Sequence, residues 1–83
     1  MNSMSVKDAV AKRFRGLCEE RGIKTNELAN ISGVTPSTVY SMLDSRRREV
    51  SITTIKKLCD GLEISLVEFF DCPIFKDLNQ EIH

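Results

Sequence analysis

Three consecutive arginines, Arg46, Arg47 and Arg48, follow a short stretch carrying Ser37, Thr38, Tyr40 and Ser41. These side chains hydrogen-bond and attract anions, but they bring no acid, base and nucleophile together for ordinary enzyme chemistry. His83, the one histidine, is the last residue and supports neither a triad nor a metal cluster. Cys18, Cys59 and Cys72 stand 41 and 13 positions apart, which fits neither a disulfide framework nor the paired CxxC halves of a zinc site. They read as reduced thiols, with Cys18 and Cys59 as small core residues. No catalytic residue, metal or cofactor is expected.

Net charge is zero over 83 residues, yet the charges are unevenly placed. Residues 1–59 hold eleven Lys/Arg against six Asp/Glu, a balance of +5. Residues 60–83 hold Lys76 against six carboxylates, a balance of −5. Such asymmetry is either chance surface composition or the mark of one face that meets a polyanion while the other points away.

The elements that must position these residues read as helices. Val6, Val10, Phe14, Leu17 and Cys18 step at a period of 3.6, with Ser5 and Asp8 resembling a capping box and Gly22 a left-handed stop, which predicts a helix over about 5–21. Thr25 caps a second, short helix that uses Leu28, Ala29 and Ile31 and stops at Gly33. Thr35 as N-cap and Pro36 at the first helical position open a third, running to about Leu43. Residues 44–50 read as a loop. Ser51 opens a fourth helix with a buried stripe of Ile52, Ile55, Leu58, Cys59 and Leu62, and Ser65 with Glu68 caps a fifth ahead of Leu66, Phe69 and Phe70, ended by Pro73. Beyond it Ile74, Phe75, Leu78 and Ile82 suggest a short amphipathic element. With 41% hydrophobic and 29% charged residues, the chain has the composition of one small soluble domain. No apolar run reaches the roughly 18–20 residues of a membrane helix, and Met1–Ser5 lacks a signal-peptide layout, so a cytoplasmic protein is expected.

Thr25 to Asp44 has helix-turn-helix spacing: two short capped helices, a turn around Gly33, and small Ala29 where the helices must touch. With Val39, Met42 and Leu43 turned inward, Ser37, Ser41 and Asp44 fall on the opposite face of the third helix, flanked by Thr38 and Tyr40.

Over about residues 6–70 the chain resembles the phage repressor and Cro family, the XRE-type helix-turn-helix regulators. The matching residues are Arg13, Arg21-Gly22, Glu27-Leu28-Ala29, Gly33-Val34-Thr35, Val39 and Ile64-Ser65-Leu66. The resemblance implies an all-α, compact five-helix, lambda-repressor-like DNA-binding domain over residues 1–70, with helices 2 and 3 as the helix-turn-helix and a tail over 71–83. It also implies a sequence-specific transcriptional regulator, most simply a repressor, working as a homodimer on double-stranded DNA with an inverted-repeat operator read in major grooves about 34 Å apart.

Many members carry glutamine at the start of helix 2, where this chain has Thr25 and Asn26, and near the start of helix 3, where it has Pro36. The contacts are therefore assigned anew. Ser37, Tyr40 and Ser41 are the candidates for base edges. Arg46, Arg47 and Arg48, in the loop that the resembling family lays along the phosphate backbone, are candidate phosphate clamps, with Thr25, Asn26 and Thr38 as further backbone contacts. The plain alternatives are an exposed polar helix face and a solvated arginine run partly paired with Asp44 and Glu49. Helix 5 and the tail are the candidate dimer surface; equally, the tail folds back on its own core. A rival function is a protein-interaction module or antitoxin-like subunit that keeps the fold without reading DNA. Zero net charge, the missing glutamines and Asp44 favour that rival.

Overall fold

A computed structural model describes residues 4–82. His83, set aside above as a catalytic base, and most of the N-terminal segment read for a signal peptide lie outside the described residues. Five helices follow in order: α1 (Val6–Arg21), α2 (Thr25–Ser32), α3 (Pro36–Leu43), α4 (Ile52–Gly61) and α5 (Leu66–Phe70), then a 3-10 turn at Pro73–Phe75. Among the described residues the one β feature is an isolated parallel bridge between Met4 and Leu78.

The helices begin where short polar side chains can satisfy free amides. Ser5, Thr35, Ser51 and Ser65 each accept from the amide three residues on, and Glu68 returns a bond to the Ser65 amide at 3.0 Å. The start of α2 differs from the sequence expectation. Its N-cap is Lys24, whose amide donates to Glu27 Oε1 at 3.1 Å, and Thr25 is the first helical residue. A lysine cannot accept an amide proton, so the carboxylate half of the capping box does the work alone.

Three helices end in the same way, with a left-handed residue after the last turn: Gly22 after α1, Gly33 after α2 and Glu63 after α4. At Gly33 (φ +68°) the Val34 amide reaches back to Ala29 O at 3.1 Å, closing a Schellman-type turn that sets the direction of α3. Gly61 has a different reason. A Cβ there would stand 2.3 Å from Ser32 Oγ and 2.9 Å from Ser32 Cα, so α4 meets the end of α2 only because position 61 has no side chain.

Phe14, Leu28, Ala29, Val39, Leu58, Cys59, Leu62 and Phe69 are fully buried and join all five helices in one core. α2 packs on both α3 and α4, and α1 lies against α3. Three expected core positions lie elsewhere. Ile31 and Ile52 are more than half exposed and Val6 is 39% exposed, because each sits at a helix end where the apolar stripe runs past its neighbours. Lys7, by contrast, is 2% exposed. It precedes Val10, Phe14 and Leu17 at steps of three, four and three, so the stripe of α1 starts at a lysine.

The tail folds back on the domain. Asn79 N donates to Met4 O at 3.0 Å, and Phe75 packs on Phe69 and Phe70 with ring centroids 5.7 and 4.9 Å apart. Instead of an amphipathic helix, the apolar residues of the tail form a 3-10 turn and a bridge, with Ile74, Phe75 and Leu78 half-buried and Ile82 exposed.

Candidate nucleic-acid interface

α3 is short, and eight residues hold a helix poorly without outside support. Its N-terminus is fixed locally: Thr35 Oγ1 accepts from the Thr38 amide at 3.3 Å, and Pro36 occupies the first turn without losing a bond. Its C-terminus has no basic residue of its own in the last turn. Two cations of α1 fill that place. Arg15 Nη2 donates to Leu43 O at 3.1 Å, and Lys7 Nζ donates to Asp44 O. Both supply positive charge where the helix dipole is negative and carbonyls lack amide partners. Burial pulls the Lys7 pKa below its ordinary value, opposed by the nearby Asp8 and Asp44 carboxylates and reinforced by Arg15 and Arg48.

Held at both ends, α3 buries Val39 and Met42 and turns a polar face outward. Ser37 and Tyr40 are exposed on that face, whereas Ser41 and Thr38 are half-buried along its edge. The Tyr40 hydroxyl donates to Asn26 Oδ1 at 3.1 Å, which joins α3 to the first turn of α2 and leaves the Asn26 amide NH2 facing outward as a donor. Thr35 Oγ1 lies 3.2 Å from Ser37 Oγ and 2.9 Å from Thr38 Oγ1. Thr25 is half-buried and lines a cavity between α1 and α2, so its hydroxyl is less open than Asn26.

The three arginines diverge. Arg46 is tied to Asp44, the C-cap of α3, by Nε to Oδ1 at 3.1 Å and Nη2 to Oδ2 at 3.0 Å, and its amide donates to the same carboxylate at 2.9 Å. Those bonds hold the Asp44 carboxyl at about 2, against an ordinary 3.8. Asp44, expected on the open face of α3, thus turns its charge onto Arg46. The Arg46 guanidinium is still 89% exposed and keeps donors free for a second anion. Arg47 lines a notch of about 310 Å³ between the end of α3 and the start of α4, together with the hydroxyl residues Thr38, Ser41, Ser51 and Thr54 and with Glu49. Arg48 lines another cavity, on the α1 side of the loop. Among the described residues neither Arg47 nor Arg48 makes an ion pair or side-chain hydrogen bond.

Sequence reasoning missed Thr54 and Ser51 as members of this surface. Their hydroxyls stand 2.9 Å apart at the first turn of α4, and the capping signal that identified Ser51 also implied free amides there. It also missed Lys7 and Arg15, which support the surface from behind. The three thiols are free, and burial pushes Cys59 up to about 11. Among the described residues no group of three His, Cys, Asp or Glu side chains could hold a metal, and no helix is long and apolar enough to cross a membrane.

Residues 13–73 match the family model of the Cro/C1-type HTH DNA-binding domain. Among solved structures, the crystal structure of the prophage Lp1 protein 11 is similar at 31% sequence identity and a TM-score of 0.79, with 90% of this chain and 99% of that chain covered. No curated protein matches.

Proposed function

We infer that this chain, which belongs to the Cro/C1-type helix-turn-helix DNA-binding family, is a sequence-specific transcriptional regulator, most simply a repressor, that lays α3 in the major groove of double-stranded DNA. The observation that carries this reading is the outward face of α3, with exposed Ser37 and Tyr40, the latter bonded to Asn26, and Arg47 in the notch beside Thr38 and Ser41, on a helix braced at both ends. Ser37, Tyr40 and Ser41 take the base edges. Hydroxyls accept or donate to several bases, and the Tyr40 ring also suits a thymine methyl. Asn26, Thr25, Thr38 and the arginines take phosphates, with Arg47 foremost, because its side chain has no partner among the described residues and lies in the notch beside α3.

The functional unit is the domain of residues 1–70, with 71–83 as a tail, acting in the cytoplasm as a homodimer on an inverted repeat. Val67 on α5, 78% exposed, and Ile82 in the tail, 87% exposed, are the exposed apolar groups of helix 5 and the tail that would serve a dimer contact. The structural relative is a prophage protein, which is consistent with a regulator carried by a mobile element.

Selection from a random-sequence duplex pool tests the reading. Enrichment of an inverted repeat, bound at two chains per duplex, is the expected result. One specific observation favours the rival protein-interaction module: Lys7, Arg13 and Arg15 donate to backbone carbonyls, which lowers the cationic charge available to a polyanion. A pool that yields no motif would favour it.

A further inference from the structure

The cavity lined by Arg48, of about 390 Å³, opens between the first turn of α1 and the start of α4. Val6, Val10, Val50, Ile52, Ile55 and Phe70 form an apolar wall. Two cations interrupt it. Lys7 is 2% exposed, with three ammonium donors and, among the described residues, Asp44 O as its acceptor. Arg48 adds a guanidinium without an ion pair among the described residues. Glu49 and Glu81 supply the opposing charge, and Glu81 comes from the tail. Its Oε2 accepts from the Val6 amide at 3.4 Å, at the N-terminus of the sixteen-residue α1, where unpaired amides and the helix dipole favour an anion. The carboxylate of an exposed tail residue thus already sits at the amide end of an apolar cleft, accepting one long hydrogen bond from the Val6 amide.

We propose that this cavity binds a small apolar carboxylic acid, whose carboxylate replaces that of Glu81 at the Val6 amide, with Lys7 and Arg48 as the cations of the lining, while its hydrocarbon lies on the Val10–Ile55–Phe70 wall. Volume fits the lower range of small-molecule sites, and an apolar wall with a few convergent polar groups is their usual lining. Charge fits as well. With Glu81 withdrawn, Lys7 and Arg48 outnumber Glu49, and an incoming carboxylate restores balance. Glu49 and Val50 also line the notch beside α3, so the ligand would sit directly behind the nucleic-acid face. The site itself does not depend on DNA reading.

Calorimetric titration of octanoate into the full chain, with octanol as the uncharged control, tests the proposal without DNA. Glu81, Arg48 and Ile52 are exposed, so their variants keep the fold. Octanoate should saturate at one per chain and outcompete octanol, tighten about tenfold in Glu81→Ala, and weaken about tenfold in Arg48→Ala and in Ile52→Glu. Absence of saturable binding in both wild type and Glu81→Ala would overturn the proposal. So would octanoate binding that ignores Arg48→Ala and Ile52→Glu, or octanol binding equally well.

Discussion

The cations of α1 and those of the loop after α3 are the same residue types in the same basic half of the chain, and they have opposite partners. Lys7 and Arg15 donate to carbonyls at the end of α3, and Arg13 donates to Phe69 O at 2.9 Å and Glu68 O at 3.1 Å at the end of α5, with its guanidinium over the Phe69 ring. Arg46 and Arg47 face solvent beside the open side of α3. Backbone carbonyls at a helix end are fixed acceptors without amide partners, so a nearby cation is drawn to them before any ligand arrives. A count of basic residues therefore overstates a DNA footprint. What remains after the internal acceptors are served is the better guide.

Substitution separates the two groups. The largest effect is expected for Lys7→Ala, which removes a buried stem and orphans Asp44 O: a loss of about 2–4 kcal/mol in urea unfolding. Arg13→Ala, with two charge-assisted bonds at a partly exposed site, should lose about 1–2 kcal/mol in the same measurement. Neither figure should be approached by Arg47→Ala, whose stability should stay within about 0.5 kcal/mol of wild type. Equal destabilisation by all three would erase the distinction.

Tyr40→Ala sharpens it from the other side. It should leave unfolding nearly unchanged, cost about 1 kcal/mol of affinity for a selected duplex, and relax the sequence preference at one position in each half-site. An unchanged motif would move base reading away from Tyr40.

The smallest effect belongs to Asp44, which stands between the two groups. Its carboxyl titrates at about 2 when folded, below its ordinary 3.8. The pair with Arg46 thus contributes its stabilisation above about pH 4 and loses it as pH falls through about 2. Asp44→Asn should flatten that acid limb. At neutral pH it should free Arg46 and steepen the salt dependence of DNA binding by less than about one log-log unit.

Much of the fold was legible because its determinants are local. Thr35-Pro36, Ser51, Ser65 with Glu68, Gly22 and Gly33 each act within a few residues, and all fall at helix boundaries. Lys24 escaped notice because the cap of α2 lies in the Glu27 side chain rather than in the residue at the boundary. Lys7 escaped because residue type masked a position that periodicity places on the apolar stripe. Its acceptor, Asp44 O, is 37 residues away. The candidate interface could be proposed from a set of polar residue types, but which arginine has a partner was not legible. That depends on Asp44 leaving α3 at ψ 115° as its C-cap and folding its carboxylate onto Arg46, a contact no spacing rule singles out. The fate of Phe70 and Phe75 depended likewise on a chain reversal at residues 71–72 that brings three rings together.

The most direct test of the central claim is the salt dependence of affinity for a selected duplex, measured for wild type, Arg47→Ala and Arg13→Ala. The log-log slope should shrink by about one unit in Arg47→Ala and stay at the wild-type value in Arg13→Ala. A slope indifferent to Arg47, or reduced as much by Arg13→Ala, would contradict it.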